Sequence, residues 1–549
     1  MKILASRRPG SSQWVVWTFL GLALLVAVGV RVRLLDFPLE RDEGCFAYIG
    51  QLLLEGIPPY QQASDFKMPG LYLAYAAMMS VFGQTPAGIH LGLLVVQLAT
   101  WGLLFLIARR FLDLPGAVIA TAAAALMTLS PAYVGLAAHA TNFIMPPALL
   151  GIWLLLRREG NGRWFECLAA GGLFGIAFLM KQPGMIFGVF GGLYLGWASR
   201  AGKLAWPRVM VRLGLYTLGC LLPFLAVCLW LKIAGVFPQF WFWTIVYPRE
   251  YGELISFNEG AVNAWNGVAG IFHAAPLLWL VAGAGLVCAC VTRQAGKSRV
   301  FLTGFLVFSG AAVCPGWYFR EHYFIVLVPA VALLAGLAVS WSGRRLAEKS
   351  FPPWLCQLPF WLAALACAQS LYADRTLLFS MTPREACREV YTGNPFPEAV
   401  DIGSYLAANS PKDARIVVLG SEPEIYFYAH RHAATSQIYM YPLMDLRPYA
   451  RQMREDMFRE IEQNSPEYLV LVMISGSWLA KTPESIDPVL KWAGHYTSGN
   501  MEPVGLIQII GPHRTDTVWG PAAATMGMRS KLRIVVFKKI RRDSQIRKE

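Results

Sequence analysis

The residues best suited to chemistry follow the first long apolar segment, as Arg41-Asp42-Glu43-Gly44. A second polar stretch, Asp65-Phe66-Lys67-Met68-Pro69, lies in the same predicted outer loop, residues 36–85. Carboxylates beside a membrane are costly unless they meet a cation, a metal or a substrate. A solvated loop with a few charges is the simpler interpretation. Polar residues further along the chain favour a catalytic carboxylate instead, and Asp42 is the predicted base.

Further polar side chains fall at the predicted outer ends of the apolar segments. Carboxylates come mainly from the first loop, and cations from that loop and from two later turns. Such a set suits a reaction in which a carboxylate deprotonates a hydroxyl while cations stabilise a departing phosphate, which at a membrane face would belong to a lipid. The whole set is Arg41, Asp42, Glu43, Asp65, Lys67, His139, Asn142, Lys181, Arg249, Glu250, Arg320, Glu321, His322 and Tyr323.

Several members of this set have a simpler interpretation. Lys181 can snorkel at a helix end, and Arg320 and His322 can anchor the chain at the interface. Glu321 can neutralise Arg320, and the isolated His139 favours a structural role over a ligand role. No Cys-x-x-Cys or Cys/His ligand spacing occurs, so no zinc site is predicted.

The composition indicates a membrane protein. Of the 549 residues, 56% are hydrophobic and 15% are charged, which excludes an ordinary soluble domain. The 19 tryptophans suit the aromatic belts at membrane interfaces. The formal charge is +14, but much of it lies between apolar segments, where it orients a membrane protein. No nucleic-acid partner is therefore expected.

The apolar segments predict about eleven membrane spans. Basic residues mark each predicted cytoplasmic turn, so the N-terminus is expected in the cytoplasm and the C-terminal region outside, with the chain in the inner (plasma) membrane. Residues 46–54 and 71–82 are predicted as short helices along the outer interface. The predicted spans are residues 14–30, 88–108, 114–136, 143–156, 164–180, 183–198, 213–233, 268–291, 301–315, 324–341 and 354–372.

From about residue 374 the apolar runs shorten to strand length, which favours an extracytoplasmic α/β domain over residues 374–549. The domain lacks a glycine-rich phosphate loop and a nucleophile elbow, so we expect it to cover or support the site. Its basic tail, from Lys538 onward, can contact anionic headgroups. The predicted elements are strands at 415–420, 467–472, 505–510 and 532–537, and helices from Glu422 and over 446–463.

The chain resembles the protein-mannosyltransferase and aminoarabinose-transferase group of C-type glycosyltransferases, which use polyprenyl-phosphate-linked sugars. The resemblance spans residues 12–375, and its most specific sign is the Asp42-Glu43 pair. It rests on Arg41-Asp42-Glu43-Gly44, Asp65-Phe66-Lys67-Met68-Pro69-Gly70, Gly175-Ile-Ala-Phe-Leu-Met-Lys181-Gln-Pro183, and His322-Tyr323-Phe324 with Pro329. In addition, Gly420-Ser421-Glu422-Pro423-Glu424-Ile425-Tyr426 resembles the extracytoplasmic domain of some bacterial members.

This resemblance implies a polytopic α-helical membrane protein of C-type architecture, residues 1–373, followed by the α/β domain. It implies that Asp42 is the general base and that Glu43 helps to position a substrate. Transfer is expected to invert the anomeric centre in one displacement. The remaining implied contacts are to the donor phosphate from Lys67, Lys181, Arg320, His322 and Tyr323, and to the acceptor or loops from Arg41, Asp65, His139 and Asn142.

One departure from the group bears on metals. Many relatives carry another acidic residue in the second outer loop, where this chain has His139-Ala140-Thr141-Asn142. The sequence identifies no definite cofactor, and it leaves open whether a divalent cation binds beside Asp42 and Glu43. The expected partners are the lipid-linked donor, a lipid, glycan or protein acceptor that receives the sugar on a hydroxyl or phosphate at the outer face, and membrane lipids.

Two other functions compete with sugar transfer. A transporter or flippase for lipid-linked sugars predicts charges near the membrane midplane and internal repeats, and neither is evident in the sequence. A non-catalytic membrane scaffold predicts a degraded site, whereas Asp42 and Glu43 are both present.

Overall fold

The computed structural model of the chain describes residues 11–157, 163–291, 296–445, 447–480, 483–512 and 514–540. The basic N-terminal residues Lys2, Arg7 and Arg8 lie outside these ranges, as do Leu446, the predicted start of a helix, and most of the predicted basic tail.

The chain is mainly α-helical, with one β-sheet in its C-terminal part. Its first sixteen described α-helices are α1 (Ser11–Arg33), α2 (Arg41–Leu54), α3 (Pro69–Phe82), α4 (Pro86–Phe111), α5 (Leu114–Met127), α6 (Ala140–Arg157), α7 (Trp164–Met180), α8 (Gly184–Ala201), α9 (Trp206–Ile233), α10 (Phe237–Trp241), α11 (Tyr247–Gly252), α12 (Phe257–Ala274), α13 (Pro276–Val291), α14 (Gly296–Val313), α15 (Val328–Glu348) and α16 (Pro353–Ala373).

Several of these helices can cross a membrane, which confirms the predicted multi-pass architecture. Among the described residues, six are long and apolar enough by themselves, and the bent pair α12 and α13 would make a seventh. Four further apolar helices are shorter: α3, α5, α7 and Ser298–Val313 within α14. Each of the eleven predicted segments overlaps a helix, while their number as complete spans stays a prediction.

Prolines explain where predicted spans and observed helices differ. The segment predicted at 268–291 is broken, because α12 and α13 meet at an angle of 105°. Ala275 has a non-helical backbone there, as expected for a residue that precedes a proline. Likewise α5 ends at Met127, short of the predicted 136, and a 3₁₀ turn at Pro131–Tyr133 follows it.

Small residues bring the helices close together. Every residue of α5 from Gly116 to Met127 is buried, and six of its residues in a row are Thr or Ala. A Cβ atom on Gly171 of α7 would lie 2.0 Å from the carbonyl oxygen of Tyr216 on α9. Close approach of this kind is typical of helix packing in membranes, where van der Waals contact replaces hydrophobic burial.

The C-terminal part is built on a six-stranded mixed sheet with the order β2-β1-β3-β6-β4-β5. All four predicted strands are present, whereas β2 and β5 were not predicted. The strands are β1 (Arg415–Leu419), β2 (His432–Ala433), β3 (Tyr468–Met473), β4 (Met501–Gly511), β5 (Arg514–Trp519) and β6 (Arg533–Lys539). The described helices around them are α17 (Arg375–Phe379), α18 (Pro383–Val390), α19 (Phe396–Asn409), α20 (Glu424–Ala429), α21 (Pro448–Asn464) and α22 (Pro483–Thr497).

The sheet region packs directly on α2. A Cβ atom on Gly44 would lie 2.4 Å from the Cβ of Glu424 on α20, so only glycine permits this contact. Nearby, the ring of Tyr48 stacks on that of Tyr426 with 5.2 Å between centroids. Residues 45–79 and the strands β1 and β3 contribute to one buried hydrophobic cluster. The predicted boundary near residue 373 stays a prediction, and the packing is continuous across it.

Candidate functional site

The polar stretch after α1 forms the first turn of α2, so the helix begins five residues earlier than predicted. The Glu40 side chain accepts a hydrogen bond from the Glu43 backbone N–H at 2.9 Å, and the Glu43 side chain accepts one from the Glu40 backbone N–H at 3.4 Å. This reciprocal pair is a capping box, with Glu in the place of the usual Ser or Thr. Negative charge in the first turn also suits the positive end of the helix dipole. Asp42 is thereby fixed on a rigid element.

Asp42 meets a cation and a hydroxyl. Its Oδ2 lies 3.7 Å from the Nζ of Lys67, and its Oδ1 accepts a hydrogen bond from the hydroxyl of Tyr439 at 3.1 Å. The Asp42 side chain is 16% exposed, which leaves it partly open to a ligand. Lys67 is held in turn by the ring of Phe66, with its Nζ 3.9 Å from the centroid.

Two further cations act on the Asp42 carboxylate. Lys181 follows the last residue of α7 and places its Nζ 4.0 Å from the ring centroid of Tyr323. Arg320 lies just before a 3₁₀ turn, Glu321–Leu327, and donates to the hydroxyl of Tyr251 at 3.4 Å. These side chains come from three distant segments, so the fold assembles the predicted cationic set around Asp42.

The charges alter the proton affinities of the cluster. Burial opposes ionisation of Asp42, but Lys67, His139, Arg320 and Lys181 together lower its pKa well below the usual range. Burial also opposes the charge of Lys67, yet the carboxylate of Asp42 outweighs this effect and raises the pKa of Lys67 above its usual value. Burial and repulsion from Lys67 lower the pKa of Lys181 to about 7. Lys181 is therefore the cation of this cluster that can lose its charge near neutral pH.

Two histidines complete the cluster. The rings of His139 and His322 stack with centroids 4.0 Å apart and planes 10° apart. One ligand atom each from Asp42, His139 and His322 lies within 4.8 Å of the others, close enough to hold a metal ion. Both ring nitrogens of the buried His139 lack a hydrogen-bond partner among the described residues. Burial lowers the pKa of His139 to about 4, so its ring is neutral and can offer a lone pair.

Glu43 lies in different surroundings, although it is the neighbour of Asp42. It is fully buried, and its Oε1 lies 3.1 Å from Nε2 of His90 on α4 and accepts from the backbone N–H of Ala138 at 2.5 Å. Its other oxygen accepts from the backbone of Glu40. The carboxylate of Glu43 thus ties α2 to α4 and to the loop that carries His139.

Three other predicted residues are also engaged by the protein. Asp65 accepts hydrogen bonds from the hydroxyl of Tyr72 and the backbone of Phe66, both at 2.8 Å. Asn142 accepts from the side chain of Gln97 at 2.7 Å. Arg41 points to the sheet region, where it donates to Glu422 Oε1 at 3.0 Å, to Ser421 O at 2.5 Å and to Asn394 Oδ1 at 3.1 Å. Their observed contacts are structural, so the described contacts bring none of the three to the Asp42 carboxylate.

Some residues that reach the site come from far along the chain and were not predicted from the sequence. Tyr439 is 397 positions from Asp42, and His90 becomes relevant only once the fold is known. No local pattern marks them. Glu40 could have been found, because its spacing from Glu43 is that of a capping box.

A sequence comparison with protein families matches part of the chain. Residues 67–230 match the family described as dolichyl-phosphate-mannose-protein mannosyltransferase. This segment contains Lys67, His139 and Lys181 but precedes Arg320 and follows Asp42. A comparison with curated protein sequences gives no match.

Solved structures of glycosyltransferases are similar over nearly the whole chain. ArnT from Cupriavidus metallidurans in the apo state has a TM-score of 0.57 at 15% identity, with 96% of this chain and 98% of ArnT covered. ArnT bound to undecaprenyl phosphate gives 0.51, at the same identity and coverage. Archaeal oligosaccharyltransferase AglB from Archaeoglobus fulgidus, in complex with an inhibitory peptide and a dolichol-phosphate, gives 0.53 at 11% identity, with 94% of this chain and 75% of AglB covered. The expected resemblance is confirmed: the chain is a polytopic membrane protein with the fold of ArnT and AglB, and its residues 67–230 are similar in sequence to the protein mannosyltransferases.

Proposed function

We propose that this protein transfers a sugar from a polyprenyl-phosphate-linked donor to an acceptor hydroxyl at the outer face of the membrane, with Asp42 as general base. The observation that carries the proposal is the position of the Asp42 carboxylate, 3.7 Å from Lys67 and within the field of Lys181 and Arg320. A reaction that deprotonates one group and releases a phosphate needs a carboxylate and several cations together.

Asp42 takes the proton of the acceptor hydroxyl as the acceptor oxygen bonds to the anomeric carbon of the sugar. The bond between that carbon and the phosphate oxygen breaks, and polyprenyl phosphate leaves with the electron pair. Attack opposite the leaving group inverts the anomeric centre. Lys67, Lys181 and Arg320 compensate the charge that develops on the departing phosphate.

The low pKa of Asp42 is consistent with this role. In the free protein, three cations stabilise its carboxylate and make it a weak base. A bound donor phosphate would share those cations, so the proton affinity of Asp42 would rise once the donor is in place. Tyr439 holds the other carboxylate oxygen and would orient it toward the acceptor.

An apolar groove supports a lipid-linked donor. A cavity of about 760 Å³ lies between α7, α8 and α9, lined by residues such as Gly175, Phe178 and Phe224. Phe178 is less than one helical turn before Lys181, the proposed phosphate ligand. A phosphate held by Lys181 would therefore place its prenyl chain at the mouth of this groove. Similarity to ArnT, whose structure holds undecaprenyl phosphate, supports the same donor class.

The cluster also fits a divalent cation. Asp42, His139 and His322 would supply one oxygen and two nitrogens, the ligand types of zinc sites with an open position. Among the described residues neither ring nitrogen of His139 makes a hydrogen bond, and Nδ1 lies 3.6 Å from Glu40 Oε1, which is consistent with such a role. When bound, the ion would add positive charge beside the donor phosphate. The Cys and His spacing in the sequence predicted no zinc site, because these ligands come from distant segments. The cation left open from the sequence lay beside Asp42 and Glu43, whereas the ligand set proposed here is Asp42 with His139 and His322.

The proposal is tested in a strain that lacks this protein. Mass spectrometry of surface glycans and glycolipids should identify the sugar that disappears upon deletion. Wild-type protein should restore it, whereas Asp42→Asn should lower the transfer rate by about 100-fold or more, the typical contribution of a general base.

Asp36→Asn is the matched control. Asp36 is an exposed carboxylate shortly before α2, and its replacement should leave transfer at the wild-type rate. Wild-type transfer by the Asp42→Asn variant would remove the base assignment. An unchanged glycan profile in the deletion strain would contradict the transfer reaction itself.

A further inference from the structure

A second cavity, which has a polar side, lies at the end of the helix bundle opposite Asp42. Helix α4 begins near the site, where His90 contacts Glu43, and it runs for 26 residues to Phe111. At 1.5 Å per residue this is about 39 Å, enough to cross a bilayer. Arg109 and Arg110 in its last turn line a cavity of about 710 Å³. The cavity is thus at the predicted cytoplasmic face, far from the proposed transfer reaction.

The polar side of this cavity is cationic. Arg109 and Arg110 come from α4, and Arg344 comes from α15. Among its described lining residues the carboxylate is that of Asp113, which lies 3.9 Å from Arg344 Nε and accepts a hydrogen bond from Ser340 at 2.5 Å. Three guanidinium groups against one carboxylate leave a net positive charge that an anion can balance.

These guanidinium groups keep donors for a ligand. Arg109 donates to the carbonyl of Leu112 at 3.3 Å, and Arg110 donates to the carbonyl of Arg157 at 2.7 Å. Arg344 donates through Nε to the carbonyl of Ser340 at 3.1 Å. Each guanidinium has five N–H donors in a planar fork that matches phosphate oxygens. The hydrogen bond from each side chain to a backbone carbonyl positions the guanidinium group, and the remaining N–H donors are left for a phosphate.

The other side of the same cavity is apolar. Val16 from α1, Val339 from α15, and Phe360 and Trp361 from α16 contribute to it. An inorganic anion would leave this wall without a partner, whereas a lipid would cover it with an acyl chain. Basic pockets between helices at the cytoplasmic side of membrane proteins commonly bind anionic headgroups.

We propose that this cavity binds one anionic phospholipid of the inner leaflet. Its phosphate lies among Arg109, Arg110 and Arg344, and an acyl chain packs against the wall of Phe360 and Trp361. The lipid would join α1, α4, α15 and α16 at one end of the bundle and stabilise their packing. The orientation of the protein in the membrane requires only that these arginines lie on the cytoplasmic side. It does not require a cavity with one charged and one apolar wall, and such a cavity is complementary to the headgroup and acyl chain of a lipid.

The test compares two lipids and two neighbouring arginines in the full chain. Native mass spectrometry in detergent would measure the binding of phosphatidylglycerol and phosphatidylcholine to wild type, Arg344→Gln and Arg345→Gln. Arg345 is the matched control, because it follows Arg344 on α15 but bonds to the exposed Glu348 at 3.3 Å. We expect selective binding of phosphatidylglycerol, about fivefold weaker in Arg344→Gln and unchanged in Arg345→Gln.

A second variant and a competitor keep the proposal falsifiable. Arg110→Gln should also weaken the binding of phosphatidylglycerol by about fivefold, so a folding defect of one variant cannot decide the result. Equal binding of the two lipids, or equal effects of Arg344→Gln and Arg345→Gln, would overturn the proposal. Displacement of the lipid by millimolar inorganic phosphate would also overturn it, because the site would then be one for a soluble anion.

Discussion

Replacing Lys181 by arginine tests whether this residue holds the donor phosphate. Burial and the nearby charge of Lys67 lower the pKa of Lys181 to about 7, so it is charged below that pH and neutral above it. Arginine has a pKa above 12 and remains charged throughout. The substitution therefore retains a cation but removes its titration.

The sign and size of the effect follow from this pKa. A lipid phosphate monoester has its second pKa near 6, so above pH 7 its own charge is constant. Protonated Lys181 is the binding form, and its population falls tenfold for each pH unit above its pKa. Affinity for the lipid phosphate should fall in parallel until one charge-assisted hydrogen bond is lost. Such a bond contributes about 1.5–3 kcal/mol, which corresponds to about 10- to 150-fold in affinity.

The assay is equilibrium binding of undecaprenyl phosphate to the purified full chain in detergent, between pH 6.5 and 9. This probe requires neither the sugar nor the acceptor to be known. Wild type should lose affinity steadily above pH 7, and Lys181→Arg should bind with little change over the same range. Lys232→Arg is the matched control, because Lys232 is an exposed lysine near the end of α9 and should leave the wild-type profile unchanged.

Two results would refute this reasoning. A wild-type affinity that stays constant from pH 7 to 9 would show that Lys181 either does not titrate there or does not contact the phosphate. The same decline in Lys181→Arg as in wild type would assign the titration to another group.

Three further changes test other parts of the site. Tyr439→Phe removes the hydrogen bond to Asp42, so transfer should fall by about tenfold or more, whereas Tyr441→Phe, whose hydroxyl bonds to a backbone carbonyl, should retain the wild-type rate. Glu43→Gln removes the buried carboxylate that lies 3.1 Å from His90 Nε2 and should lower the free energy of unfolding by about 3 kcal/mol, visible as a lower melting temperature in detergent. His322→Ala should lower the zinc retained by purified protein from about one ion per chain, measured by elemental analysis; unchanged zinc content would contradict the proposed ligand set.

Local patterns predicted the elements of this fold well. Apolar stretches and basic turns located the helices, and the buried strands Arg415–Leu419 and Tyr468–Met473 lie within one residue of their predicted positions. Hydrophobic periodicity and charge asymmetry are local signals, so one segment is enough to detect them. The exceptions are equally local in cause, since Pro276 and Pro131 interrupt helices that apolar composition alone would continue.

The assembly of the site was predictable only in part. Lys67, Lys181 and Arg320 could be grouped with Asp42, because the predicted topology places them at one membrane face. The hydrogen bond from Tyr439 depends on how the sheet region packs on α2, and no sequence period reports such a contact. The stacking of His139 on His322 also has no local signal in the sequence, because it joins two turns that are far apart along the chain. Each histidine alone suggested a structural or anchoring role.

The helical start of α2 explains why adjacent acidic residues have different contacts. Successive side chains on an α-helix point about 100° apart, so Asp42 and Glu43 cannot face the same group of cations. Glu43 faces α4, where His90 and a backbone N–H satisfy its carboxylate, while Glu40 caps the helix beneath it. In an extended loop both carboxylates could have reached one substrate. The capping box therefore decides the chemistry: it uses two of the three carboxylates to fix the helix, and it leaves Asp42 as the one that meets Lys67.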